Sequence, residues 1–292
     1  MEIFCHTVEI RAAIQRREPA RVVLVPTMGA LHAGHAQLIT EAREAAGEDG
    51  LVVVSIFVNP TQFGPGEDYE IYPRDLEHDA ALAEDAGADL IFAPTTAAMY
   101  AKDASIRVTE NMLSQHLCGE SRPGHFSGVC TVVAKLFNII RPDIAVFGKK
   151  DRQQLAIIER LNRDLDFFVE ILGVETVREE DGLAISSRNR YLDDEQRAAA
   201  PRLRHGLLLA RRAYFDGERN SEELMTIVED TLAPCHFARI DYIELVDAET
   251  MQPVKDVTRP AVLAAAVFFG QTRLIDNIEL DPDESFDDAT DA

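Results

Sequence analysis

The chain lacks a stretch of about 18 apolar residues, the length a membrane-spanning helix needs. Its N-terminus has no basic region running into an apolar one, so nothing there reads as a secretory leader. Cysteine is sparse: Cys5, Cys118, Cys130 and Cys235 are dispersed over 292 residues with no CxxC pair. That usage points to reduced thiols and a cytoplasmic protein, and away from a disulfide framework or a zinc site. Positive charge is also scarce, with 29 Lys and Arg against 51 Asp and Glu and a net charge of −22. Such a surface repels a phosphodiester backbone, which excludes DNA and tRNA as expected partners. No Gly-x-Gly-x-x-Gly follows a strand-like run, no Gly-x4-Gly-Lys-Ser/Thr occurs, and no repeat of solenoid length is visible. An anionic small molecule would have to be met by a local cluster of Lys, Arg and helix N-termini.

What is present is a core-forming chain, 46% apolar, with enough material for two domains. One stretch organises it. Val22–Val25 reads as a buried strand, Pro26 ends it, Gly29 and Gly34 permit an unusual backbone path, and Leu38, Ile39, Ala42, Ala45 and Ala46 recur at helical spacing after His35. Strand, glycine-containing turn and helix together present a helix N-terminus, which suits a phosphate. His32 and His35 are three apart around Gly34, so both rings can face one side and stabilise charge that builds up on phosphorus. The same two residues also fit a pair of surface histidines or half of a metal site.

Leu51–Phe57 is a second fully apolar strand, and strand–helix–strand with continuous apolar runs predicts a parallel sheet covered on both faces. This strand runs into Asn59 and Gln62, neutral groups at the strand exit, where ligands sit in open α/β sheets. The alternative there is an ordinary Asn/Pro/Gly turn. The pattern predicts helices over 7–18 and from Tyr72 through Ala83, and a third strand over 89–94. It predicts a short extended piece at Ile106 and Val108, then a loop over 118–126. Ser127 reads as an N-cap before the stripe Val129, Val132, Val133, Leu136, Phe137, Ile140. Ile144–Phe147 is a strand that ends in Gly148-Lys149-Lys150-Asp151-Arg152-Gln153-Gln154. That is either a phosphate cradle at a helix start or a solvated charge run. Phe167–Ile171 reads as a further strand. Ser186, Ser187 and Arg188 sit in a loop able to close over a triphosphate, or in a plain helix-start loop. Helices over 193–214 and 221–233 and strands near 239–246, 261–269 and 273–278 form a smaller α+β section. From Asp281 the chain is acidic and nearly devoid of apolar residues, which predicts disorder.

In order, the motifs are Pro-Thr-Met-Gly-Ala-Leu-His-Ala-Gly-His (26–35), Ser-Ile-Phe-Val-Asn-Pro-Thr-Gln-Phe (55–63), Tyr-Pro-Arg (72–74), Arg-Pro-Gly-His-Phe (122–126), Phe-Gly-Lys-Lys-Asp-Arg-Gln-Gln-Leu (147–155) and Ile-Ser-Ser-Arg-Asn (185–189). With these motifs in this spacing, the chain resembles the pantothenate synthetases (pantoate–β-alanine ligases) to about residue 280.

The resemblance implies a Rossmann-like parallel-sheet domain of nucleotidylyltransferase type over 1–178, a smaller C-terminal lid domain over 179–280, and a homodimer joined through the N-terminal domain. It implies a cytoplasmic enzyme that uses ATP and Mg²⁺, joins pantoate to β-alanine through an acyl adenylate, and releases AMP and pyrophosphate. Carried over by position, His32, His35, Lys150, Ser186, Ser187 and Arg188 take the catalytic roles. Pro26, Thr27, Met28, Gly29, Ala30, Leu31, Gly148, Lys149, Asp151, Val177 and Ile185 join them at the nucleotide. Gln62 and Gln154, with Met28 and Asn59, fall at pantoate and β-alanine, while Mg²⁺ rides on the ATP phosphates. Tyr72, Asp79 and Arg122 carry over as wall or gate residues. Cys118, Lys149 and Arg152 depart from the family's usual residues at the border of the site. Another nucleotidylyltransferase, a synthetase fragment, or a non-catalytic nucleotide sensor would share parts of this pattern.

Overall fold

The computed structural model describes residues 1–284, so 285–292 of the expected acidic tail lie outside the described residues. Contacts divide the chain into two compact units. The first holds Met1–Glu110, Arg122–Lys149 and Ile157–Val177; the second holds Asn111–Ser121, Lys150–Ala156 and the described residues from Arg178. A single cut at 178 therefore misses two earlier segments that cluster with the C-terminal part.

The first unit is a parallel sheet. Its strands are β1 (Glu2–Phe4), β2 (Val22–Thr27), β3 (Leu51–Ile56), β4 (Leu90–Phe92), β5 (Ile144–Gly148) and β6 (Glu170–Val174). They lie in the order β1-β4-β3-β2-β5-β6, every pair parallel. The apolar runs are buried on both faces, as continuous apolar strands demand. On one face Val23, Val25, Val52, Val54 and Ile91 pack with Ile39 and Ala42 of α2 (Ala33–Ala46) and Ala83 of α3 (Leu76–Asp85). Helix α1 (Thr7–Arg17) precedes β2, and α6 (His125–Ile140), buried along most of its length, precedes β5. The chain adds strands outward from β2 through β3 and β4, then returns to start β5 on the other side of β2. That reversal is the topological switch point, and ligands bind outside the carboxyl ends of the strands there. The β2–β5 ladder covers only Val23↔Ile144 and Leu24↔Ala145, although both strands run on past it. The strand ends beyond the ladder, at Thr27 and Gly148, flank the crevice expected at such a switch point.

The second unit carries an antiparallel sheet, β7 (Ala238–Asp247), β8 (Ala261–Phe269) and β9 (Thr272–Leu280), in that order. Leu203, Leu207 and Tyr214 of α9 (Arg202–Phe215) and Leu224, Val228 and Leu232 of α10 (Ser221–Leu232) pack with Leu245, Leu263, Val267 and Phe269. The short helices α4 (Thr96–Met99), α5 (Cys118–Ser121) and α8 (Asp194–Ala199), together with α7 (Arg152–Asp164), complete the described α-helices.

Several expectations shift, each for a local reason. The short β1 gives no sequence signal. Ile106 and Val108 are not extended strand, because Thr131 Oγ1 accepts from Val108 N at 3.0 Å and Ser127 Oγ donates to Val108 O at 3.2 Å. Ser127 is thus occupied, and α6 starts instead from Gly124 in the left-handed region (φ 84°). Strand β6 begins at Glu170 rather than Phe167. Phe168 has φ 57°, and the Asn162 side chain takes both backbone groups of Val169. Pro201, without an N–H, splits the predicted 193–214 helix into α8 and α9. Asp281–Glu284, expected to be disordered, form a turn in which Glu284 pairs with Arg211 at 3.3 Å.

A net charge of −22 means mutual repulsion in the folded state. The Debye length shrinks from about 10 Å at 0.1 M salt to about 3 Å at 1 M, so Tm should climb by several degrees over that range of NaCl. A flat or falling Tm in a thermal-melt series contradicts this.

Candidate active site

Strand β2 delivers Pro26 and Thr27 to the crevice. Thr27 Oγ1 donates to Ser55 O at 2.8 Å and accepts from Gly29 N at 3.3 Å, which starts a tight turn. Gly29 and Ala30 both take positive φ, 85° and 51°. Leu31 then returns to the core, and His32, in extended conformation, is the N-cap of α2. The helix therefore starts three residues earlier than the sequence suggests, with both histidines in its cap.

The two rings cap the helix reciprocally. Gly34 N donates to His32 Nδ1 at 3.2 Å, and His32 N donates to His35 Nδ1 at 3.4 Å. This is a capping box built from imidazoles instead of hydroxyl and carboxylate. A ring nitrogen that accepts carries no proton, so the hydrogen bonds assign the neutral proton to Nε2 in both residues. The ring centroids are 4.1 Å apart at 38°, so two Nε2–H donors are held side by side. No acidic residue sits in the first turn of α2, which leaves the positive end of its dipole for an anion.

Beside this turn lies Gln62, in the 3₁₀ turn Pro60–Gln62. Asn59 Nδ2 donates to Gln62 Oε1 at 2.9 Å, so Gln62 Nε2 faces Met28 Sδ at 3.1 Å. Thioether sulfur is a weak acceptor, and a ligand oxygen is a better partner for that N–H. Asn59, expected at the substrate, is 1% exposed. Its Nδ2 also donates to Gly128 O, and its Oδ1 accepts from Thr61 N, Thr61 Oγ1 and Tyr100 Oη. Asn59 has no group left for a ligand and sets the orientation of the Gln62 amide instead.

Arg122 and His125 hold the backbone of the same residue. Gln62 O accepts from His125 Nδ1 at 2.8 Å and Arg122 Nη2 at 3.3 Å. His125 Nε2 then accepts from Arg122 Nη1 at 3.2 Å. Arg122 grips Glu67 with two 2.7 Å bonds, and Glu67 Oε2 accepts from Gly64 N. Burial pushes the Glu67 carboxyl up, but the hydrogen bonds and charge of Arg122 outweigh it and the net shift is downward. Tyr72, another expected wall residue, is buried, with its ring edge-on to Phe63 at 6.0 Å. Asp79 is not at a wall. It is 1% exposed beneath the β2–α2 turn.

Gly148 ends β5 on the other side of the crevice. Lys149, half of the expected phosphate cradle, forms an ion pair with Glu175. Val177 is half-buried at the end of the first unit's last segment.

The remaining expected residues lie in the second unit. Lys150 Nζ is 4.0 Å from Asp151 Oδ2, and Lys150 O accepts from Asn277 Nδ2 at 2.9 Å. Arg152 Nε donates to Glu279 at 2.7 Å, which explains a cation at this position, and Gln153 Nε2 donates to Leu113 O and His116 O. These contacts pin the turn that leads to Gln154, which is half-buried on α7. They join residues 37 to 127 positions apart and have no local sequence signal. Ile185 is half-buried. Ser186 Oγ caps the 3₁₀ turn Ser187–Tyr191 by accepting from Arg188 N at 3.2 Å. Asn189 ties this turn to Glu179 and Ala184, so the segment is a hydrogen-bonded turn and not an open loop.

The sequence profile described as pantoate-beta-alanine ligase matches residues 2–279. The chain belongs to that family. It is similar to the pantothenate synthetase of Akkermansia muciniphila, 53% identical over 96% of this chain and all of the relative. The pantothenate synthetase of Thermotoga petrophila is 50% identical over 90% and 92% of the two chains. Among solved structures, the pantothenate synthetase of Thermus thermophilus has a TM-score of 0.90 and 48% identity, covering 97% of this chain and 100% of that one. The pantoate-beta-alanine ligase of Francisella tularensis, described as complexed with beta-gamma ATP and beta-alanine, has a TM-score of 0.75 and 32% identity, covering 95% and 97%. The protein is therefore an enzyme, a ligase, and its parallel sheet and small antiparallel sheet are those of the family.

The Glu67–Arg122 pair gives this ligase an acid-sensitive contact. A carboxyl whose folded pKa lies below its unfolded value stabilises the fold above the unfolded value and loses that contribution as pH falls through the folded one. Glu67→Gln should lower Tm near pH 7, and the gap to the parent should close as pH falls from about 5 to about 3. A gap that stays constant across that range contradicts the role given to the pair.

Proposed function

We propose that this ligase condenses pantoate with β-alanine in two half-reactions on one ATP. A carboxylate resists an amine because its leaving group would be oxide. Attack of a pantoate carboxylate oxygen on the α-phosphorus expels pyrophosphate and forms pantoyl adenylate. The β-alanine amine, having lost its ammonium proton, then attacks the acyl carbon; the C–O bond to AMP breaks and the amide forms. No covalent enzyme intermediate is required. The protein's part is positioning, worth up to about 7–11 kcal/mol, and charge stabilisation by preset donors. The ATP and β-alanine of the Francisella complex support this choice of substrates.

The observation that carries the reading is the imidazole capping box. Because each Nδ1 is spent on a backbone N–H, both Nε2–H groups serve as donors at the positive end of α2, where charge grows on phosphorus. In this reading Pro26–Leu31 and Gly148 shape the nucleotide's seat, and the Gln62 Nε2–H takes a pantoate oxygen. Lys150, Asp151, Gln154 and the Ser186–Arg188 turn keep the roles implied by family likeness. Mg²⁺ enters as part of the ATP substrate; among the described residues no group of three or more His, Cys, Asp and Glu is placed to hold a metal. A cytoplasmic homodimer joined through the N-terminal domain belongs to the same reading. No described helix is long and apolar enough to cross a membrane.

Labelled pyrophosphate should exchange into ATP with pantoate present and β-alanine absent. His35→Ala should slow that exchange by about 10²–10³-fold, the usual cost of one such donor, and slow the reaction of supplied pantoyl adenylate with β-alanine much less. Exchange that requires β-alanine, or equal losses in both steps, would contradict the assignment.

A further inference from the structure

A carboxylate removed from water is costly unless its oxygens are satisfied. Asp79 lies in the first turn of α3, among Ala80 and Ala83, and is 1% exposed. Its oxygens are used one each: Leu31 N donates to Oδ1 at 2.7 Å and Ala30 N donates to Oδ2 at 3.0 Å. Burial pushes its carboxyl above the usual range, and the two N–H bonds pull the other way.

Those two amides belong to the turn that precedes His32. Successive N–H groups in a turn with positive φ form a concave anion seat, and here a side chain from α3 fills it. Ala30 at φ 51° is in a region that L-residues populate only when their surroundings hold them there. A Cβ at Gly29 would lie 2.8 Å from Asp79 Oδ2 and 3.1 Å from Ile56 Cγ2, so glycine is the residue that lets the carboxylate approach. Leu31 is followed directly by His32, so the same pair of bonds sets where α2 begins.

We propose that Asp79 is a positioning residue for the first half-reaction: its buried carboxylate fixes the Gly29–Leu31 backbone and thereby aims the His32 and His35 donors. This rests on the reading of the histidine pair given above. Asp79 touches no reacting atom. It acts forty-odd positions downstream in sequence, through two backbone hydrogen bonds.

Asp79→Asn preserves shape but turns one acceptor into a donor, so one of the two bonds is lost. Three readouts on the full chain test the proposal. Hydrogen exchange at the Ala30 and Leu31 amides should accelerate at least tenfold. Pantoate-dependent pyrophosphate exchange should slow by about 10–10²-fold, the scale expected when reacting groups are displaced by about an ångström, while KM for pantoate moves less than threefold. Reaction of supplied pantoyl adenylate with β-alanine should be much less affected. Gly29→Ala, which crowds the same carboxylate, should combine with Asp79→Asn less than additively. Unchanged amide exchange overturns the proposal, as does a loss shared equally by both half-reactions in step with a lower Tm. His35→Ala in the same assay separates the two ideas: if it leaves pyrophosphate exchange intact, the histidine reading fails, whereas amide exchange reports on Asp79 independently.

Discussion

The site in the first unit depends on how the backbone N–H groups between β2 and α2 are satisfied. Five residues leave the strand, reverse direction through two positive φ angles and enter a helix. Five N–H groups along this path have side-chain acceptors: Thr27 Oγ1 for Gly29, Asp79 for Ala30 and Leu31, His35 for His32, and His32 for Gly34. An unpaired buried donor costs about 1–3 kcal/mol, so this chain of bonds admits few alternatives. Its chemical result is that both imidazoles spend Nδ1 on structure, and the proposed reading gives the opposite edges of the same rings to the reaction.

The second constraint is charge. In a protein of net −22, most cations near the sites are engaged by carboxylates of the chain itself. Arg122 holds Glu67, Lys149 pairs with Glu175, Arg152 with Glu279, Arg178 with Asp276, and Arg197 with Glu179 and Asp181. Each of these pairs orients a segment that carries, or adjoins, an expected ligand residue. The proposed reading therefore relies on the α2 dipole and neutral donors, as well as on cations, to meet a triphosphate.

How much of this can be read from the sequence follows from the range of the forces involved. Val22–Val25 and Leu51–Ile56 announce themselves because burial on both faces leaves an unbroken apolar run. His32, His35 and Gln62 are visible because they sit next to strand ends. Asn59 is visible as a residue but not in its role, because that role comes from Tyr100 and Gly128, 41 and 69 positions away. Asp79 reads as one acid among 51, and only its burial under Ala30 and Leu31 gives it meaning. The discontinuous second unit is hidden for the same reason, since Gln153 and Arg152 reach carbonyl and carboxylate partners remote in sequence. Local exceptions such as Phe168 at φ 57° move element ends without changing the fold.

The proposed chemistry has a pantoate oxygen attack the α-phosphorus of ATP. It is tested most directly by running the complete reaction with pantoate labelled with ¹⁸O in its carboxylate and analysing the products by mass spectrometry. Attack at the α-phosphorus predicts one labelled oxygen in each AMP and none in pyrophosphate. Unlabelled AMP, with the label in a β- or γ-derived phosphate, would contradict it.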